Sequence, residues 1–342
     1  ARRNGLIAFS ALLASAMPAL AEDGHFEAGL ALYRKGECGR ALAEFSLSEG
    51  TAEKRPARLF YQGVCLARGG DLSFSSAKLL EYVSAEGSDP RGWEWLSRVQ
   101  LLQRRFSEAR TSAQRAIALN PNSFEAHRTL GETELELRNS DAAYRAWTEA
   151  NRLNPKDART TYYLGRLFFE ADFTGEAAAW LRDTLRLEPT HFGAMTYLGL
   201  CAEHLGQTTT ATGLYREAIR QSKLQRTPFS WGYLSLAKLL RQQGNDGEAL
   251  TLLEECEKLC PEAHALSILG QLLIARQQTD RAESVLRRAI EMDPGISEAH
   301  YRLSRILQAS GRTGEAQAEL RQFEDAKKTE EKAKNDISAI RK

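Results

Sequence analysis

One-sided charge is absent from this 342-residue chain: 46 Lys and Arg stand against 45 Asp and Glu, a formal net charge of +1. Without a basic excess or an RNA-reading motif, nucleic acid is not an expected partner. Catalytic signatures are missing too. There is no Gly-x-Ser-x-Gly elbow, phosphate-binding loop, His-Glu-x-x-His or glycine-rich dinucleotide turn. Carboxylates are numerous but spread along predicted helices, as solvated faces are. Neither an enzyme nor a cofactor is expected. Cysteine is sparse, with five in all. Cys256 and Cys260 have three residues between them, and His264 follows; haem attachment takes two intervening residues with histidine directly after. Zinc would need further ligands nearby, so no metal is expected either.

Long apolar runs are equally scarce. The main one, Leu6 to Ala16, is shorter than the roughly 20 residues that cross a bilayer. Arg2 and Arg3 precede it and Ala19-Leu20-Ala21 follows, the layout of a secretory signal peptide over residues 1–21. This predicts an exported chain, periplasmic or secreted, that meets a membrane only through an uncleaved N-terminal segment.

What the sequence does have is a period of 34 residues. Frames open at Glu22, Pro56, Pro90, Phe124, Ala158, Phe192, Ser230, Ala263 and Ser297. The eighth residue of each is small: Gly29, Gly63, Ser97, Gly131, Gly165, Gly199, Ala237, Gly270 and Ser304. Glycine inside a helix costs about 1 kcal/mol against alanine, so its recurrence demands a close approach by a neighbouring element. The twentieth residue is Ala41, Ser75, Ala109, Ala143, Ala177, Ala211, Ala249, Ala282 or Ala316, and these small sites are expected to let two backbones nearly touch. Large residues such as Phe45, Trp147 and Tyr215 occupy the twenty-fourth. Pro121, Pro155, Pro189, Pro261 and Pro294 fall at the thirty-second, where a helix must stop. Each repeat therefore reads helix, turn, helix, stop.

The pattern is similar to the tetratricopeptide repeat over about nine tenths of the chain. The resemblance implies an all-α, right-handed superhelix of nine helix-turn-helix repeats over residues 22–330, followed by a charged tail at 331–342. Departures are local: the first two repeats lack the terminal proline, Arg226 to Phe229 is a four-residue insertion, and the seventh repeat is one residue short. His25, His127 and His300 share the fourth offset, where an aromatic is usual. Such a stack binds along its inner surface, so the resemblance implies a non-enzymatic scaffold for a protein or peptide in the cell envelope. The family's groove offsets fall on Arg98, Arg128, Tyr162, Arg166 and Phe169, then on Trp231, Lys238, Arg241, Tyr301 and Arg305. Asparagine is missing from the ninth offset, which disfavours the family's clamp for chaperone tails. Arginine beside aromatics is the composition of a protein interface. The same charges alternate from repeat to repeat, as an internal ion ladder would. A carbohydrate- or lipid-binding protein using the aromatics is the alternative reading.

Cys38 opens the second helix of the first repeat and Cys65 lies late in the next, antiparallel helix, which makes them the candidate disulfide. Cys201 and Cys256 fall at offsets where small residues pack and are expected as core thiols.

Overall fold

The structure, a computed structural model, describes residues 24–48 and 54–340. The segment read as a signal peptide lies outside them. Among the described residues there are eighteen helices and no strand. None is long and apolar enough to cross a membrane. The first four are residues 24–34 (α1), Cys38–Leu47 (α2), Arg55–Arg68 (α3) and Leu72–Ala85 (α4). Next come Pro90–Leu102 (α5), Phe106–Leu119 (α6), Phe124–Glu136 (α7), Ser140–Leu153 (α8) and Ala158–Glu170 (α9). After them run Thr174–Leu187 (α10), Phe192–His204 (α11), Thr208–Leu224 (α12), Ser230–Gln242 (α13) and Asp246–Leu259 (α14). Ala263–Ala275 (α15), Thr279–Met292 (α16), Ser297–Ala309 (α17) and Thr313–Ile340 (α18) complete the chain. α18 crosses the boundary at residue 330 without a break, so the charged tail continues a helix as far as Ile340.

The chain divides into two compact units, residues 1–167 and 168–342. In the first, Phe26, Phe45 and Cys65 form one core, and Leu79, Tyr82, Leu96 and Val99 belong to the next. In the second, one continuous core runs from Ala202 to Ala316.

In five of the repeats the recurring glycine has a specific neighbour. A Cβ on Gly29 would lie 2.6 Å from the Phe45 ring, and one on Gly63 2.7 Å from Leu79. Gly131 meets Trp147 at 2.5 Å, Gly199 meets Tyr215 at 2.5 Å and Gly270 meets Leu286 at 2.6 Å. At these five positions the eighth residue is small because the bulky twenty-fourth residue of its own repeat lies across it, and at Gly63 the facing backbone is close as well, with Leu79 N 3.5 Å from the same Cβ. The alanines at the twentieth offset are buried alongside.

Between its two helices every repeat makes the same turn. The fifteenth residue is left-handed in all nine: Gly36, Gly70, Arg104, Arg138, Asp172, Gly206, Gly244, Gln277 and Gly311. The next N–H returns to a carbonyl five residues back, as in Asp71 to Leu66 at 3.0 Å, Asn139 to Glu134 at 2.8 Å and Gln207 to Ala202 at 2.8 Å. This pairing satisfies a carbonyl that the helix end would leave open. Glycine adopts the conformation freely, whereas a side chain there costs about 1 kcal/mol or more. Gly206→Ala is therefore expected to destabilise by about 1 kcal/mol, and Gln277→Gly to stabilise by about half that or more. Urea denaturation followed by circular dichroism checks both; equal midpoints would contradict the assignment.

Candidate functional site

Four successive first helices of the first unit enclose a groove of about 550 Å³. Tyr33 comes from α1, Phe60 and Tyr61 from α3, Arg91, Glu94, Trp95 and Arg98 from α5, and Glu125, Arg128 and Thr129 from α7. One turn of helix separates Arg91, Glu94 or Trp95, and Arg98, so α5 presents them on one face. Asp89 sets the start of that helix: its carboxylate accepts from the Arg91 N–H at 2.9 Å and from the Arg91 guanidinium at 2.7 Å, with Pro90 at the first helical position.

Trp95 is the centre of the site. The guanidinium of Arg98 lies 5.4 Å from its ring centroid and that of Arg68 5.8 Å, within the range of a cation–π contact. Arg68 also covers Tyr33 at 5.1 Å, and Arg91 covers Phe60 at 5.3 Å. Tyr33 and Tyr61 pack edge to face at 4.9 Å. These rings form a rigid apolar floor edged by guanidinium groups.

The charges separate into a satisfied set and a free set. Arg128 contacts Asp157 at 3.2 Å and Glu132 at 4.0 Å, and Arg159 contacts Glu132 at 2.7 Å. This part is the ion ladder. Burial raises the Glu132 carboxyl, with Arg159, Arg128 and Arg98 opposing it. Arg98 differs: among the described residues it has no carboxylate at ion-pair distance. Burial, then the charges of Arg128 and Arg159, push its guanidinium below the usual value, while Glu132 partly compensates. An arginine remains charged even so, and an anion placed beside it would relieve the repulsion. Burial likewise raises the Glu94 carboxyl, helped by Glu125 and Asp89 and opposed by a hydrogen bond from Ser123. The groove is lined by three arginines, Arg91, Arg98 and Arg128, and two glutamates, Glu94 and Glu125.

Of the residues expected from sequence, Arg98 and Arg128 line this groove. Tyr162 packs on Tyr163 at 5.5 Å and, with Arg166, is half-buried farther along α9. In the second unit Phe169 packs on Tyr197 at 5.6 Å and on His204 at 5.0 Å. Trp231 is 43% exposed and leans on Tyr197 at 5.2 Å. Lys238 and Arg305 are exposed, Arg241 lies 3.9 Å from Asp246, and Tyr301 packs on Phe323 at 5.4 Å. Trp95 and Tyr61 occupy the sixth offset, which is not among the family's groove positions, and Arg68 occupies the thirteenth, which is. The signal available for them was the run of aromatics at offset six: Tyr61, Trp95, Tyr163 and Tyr197.

Cys38 and Cys65, the candidate disulfide, are free thiols in the structure. Burial, with the hydrogen bond and charge of Cys38, pushes the Cys65 thiol up to about 12, while Arg68 reaches the Cys38 sulfur at 3.9 Å. Among the described residues no three His, Cys, Asp or Glu side chains converge to hold a metal ion. His300, at the packing offset, is buried between Glu319 at 2.6 Å and the Pro294 carbonyl at 3.1 Å.

Profiles described as tetratricopeptide repeat match residues 75–124, 128–191 and 164–225, and again 273–335, together more than half of the chain. The chain is 25% identical over 298 residues to the protein CTR9 homolog of Arabidopsis thaliana, spanning 82% of this chain and 27% of that relative's length. Tetratricopeptide repeat protein 7B of Homo sapiens is 29% identical over 110 residues, 31% of this chain and 13% of its own. The chain thus spans less than a third of the full length of either curated relative. Among solved structures, a chain of the APC/C hetero-tetramer Cut9–Hcn1 superposes with a TM-score of 0.61 at 17% identity, over 79% of this chain and 52% of that one. A tetratricopeptide repeat protein from Parabacteroides merdae gives a TM-score of 0.59 at 16% identity, over 74% of this chain and 99% of that one. At such identities these superpositions speak to the fold alone.

Proposed function

Because the chain belongs to the tetratricopeptide-repeat family and so serves as a protein–protein interaction scaffold, we propose that the groove of its first unit is where it holds its partner, through an acidic segment carrying an aromatic or apolar side chain. One observation carries this reading: Trp95 lies between Arg68 and Arg98, and Arg98 has no carboxylate at ion-pair distance among the described residues. The aromatic floor supplies area at low entropic cost, and the guanidinium groups supply directed hydrogen bonds to carboxylates. The scaffold works without cofactor or metal.

Affinity capture with the wild-type chain, repeated with Trp95→Ala and Arg98→Ala, tests the reading. A protein retained by the wild type and lost by both variants supports it. Glycan or lipid binding that depends on Trp231 with no protein retained at Trp95 would replace it by the carbohydrate- or lipid-binding alternative.

The proposal includes export to the cell envelope, periplasmic or secreted. Its support is the order of Arg2 and Arg3, the apolar run and Ala19-Leu20-Ala21. N-terminal sequencing of the chain from fractionated cells checks it: a start just after Ala21 is the expected result, and an intact leader in the cytosolic fraction would count against it.

A further inference from the structure

The four-residue insertion after α12 reaches into an open cavity of about 320 Å³ in the second unit. Lys223, Arg226, Phe229, Tyr233, Leu259 and Cys260 line it. Cys260 is the C-cap of α14, and one turn earlier on that helix stands Cys256. Their sulfurs are 3.5 Å apart, about 1.5 Å longer than a disulfide bond. Cys256 is fully buried and its thiol lies 3.4 Å from the Cys260 carbonyl, to which it donates; Cys260 forms part of the cavity wall. Cys260, 7% exposed, thus meets the cavity, and Cys256, fully buried, lies against it. That is the arrangement of an attacking and a resolving cysteine.

We propose that Cys256 and Cys260 are a reversible dithiol–disulfide site, oxidised through the cavity by a small disulfide of the glutathione type. The Cys260 thiol, on the cavity wall, gives its proton to solvent and attacks one sulfur of glutathione disulfide as the thiolate. The S–S bond breaks, one glutathione thiolate leaves, and a mixed disulfide forms on Cys260. Cys256 then gives its proton to solvent and attacks the Cys260 sulfur, releasing the second glutathione. Two protein thiols and one glutathione disulfide become one protein disulfide and two glutathione thiols. In the reduced protein burial holds the Cys256 thiol well above its usual range.

The test uses the full chain in native buffer with glutathione disulfide, quenched in acid, alkylated after denaturation and digested with trypsin. Cleavage after Lys258 separates the cysteines into peptides 242–258 and 259–276, so the disulfide appears as a cross-linked pair. The expected result is that pair, with both thiols lost to alkylation, while Cys201, 1% exposed, remains alkylated. Cys256→Ser should accumulate one glutathionyl group on Cys260, and Cys260→Ser should take up none at Cys256. Dithiothreitol should reverse the wild-type product. If both peptides keep their alkylated thiols, or if Cys256→Ser leaves Cys260 unmodified while its helical circular dichroism matches wild type, the proposal is overturned. Should Cys256→Ser fail to fold, the wild-type peptide pair decides alone.

Discussion

Replacing Trp147 with alanine is expected to cost about 3–5 kcal/mol and to lower the denaturation midpoint of the first unit more than any groove substitution. The indole is fully buried, stacks on Tyr163 at 4.9 Å with planes 3° apart, and fills the space above Gly131. Alanine would leave a cavity with backbone on one side and an aromatic ring on the other, which a packed helix pair cannot close by relaxing. Among the described residues the indole N–H has no hydrogen-bond partner, so Trp147→Phe should lose far less. Gly131→Ala gives the reciprocal test. Its methyl would fall 2.5 Å from the ring, an overpacking that costs about 1–3 kcal/mol. In a Trp147→Ala background the ring is gone, and the helix preference of alanine, worth about 1 kcal/mol, should make Gly131→Ala neutral or stabilising. Urea melts of the four chains measure the coupling. Additive losses would refute the claim that these two residues are a matched pair.

Trp95→Ala and Arg98→Ala are each expected to weaken the captured partner by about 2 kcal/mol, roughly thirtyfold in affinity, with little change in stability. Binding to an acidic segment should fall with added salt, and the salt slope should be shallower in Arg98→Ala. pH provides a signed check. The Glu94 carboxyl is raised by burial, so as pH falls from neutral toward the carboxylate range it takes up a proton before exposed carboxylates do. The groove then loses a negative charge while the ligand keeps its own. Affinity for an acidic ligand should therefore rise through that interval, and Glu94→Gln should flatten the rise. A wild-type affinity that drops on acidification above the range where the ligand itself titrates would contradict the charge assignment. Isothermal titration with the captured segment reads all of these effects.

The repeat was legible because its two constraints are written in residue size. A glycine at offset eight and a large side chain at twenty-four repeat often enough to be seen, and Gly131 and Trp147 are one such pair. The left-handed turn at offset fifteen was not legible, since Arg104, Arg138, Asp172 and Gln277 stand where glycine would have marked it. There the backbone bond to the end of the preceding helix fixes the geometry, and the side chain is merely tolerated. The groove was half legible. Arg98 and Arg128 follow from the family's offsets, but Trp95 matters through its place between two cations, a relation of three residues on two helices that no single offset records. Separating ladder charges from free ones also required distances, because Arg128 and Arg98 are the same residue type on the same face of successive repeats.

The invariant turn has a consequence for how such a chain can grow. From the start of each frame to the left-handed residue the count never varies, whether the repeat is the long sixth, ending at Phe229, or the short seventh, ending at Glu262. Both irregularities fall downstream, where α12 runs on to Leu224 and α14 gives way at Cys260. Each repeat thus owns one fixed hinge and one elastic seam, and only the seam tolerates added or deleted residues. Grafted loops should survive between Arg226 and Phe229 and fail at Gly206, which makes the seam the natural entry point for tags, linkers or new specificity.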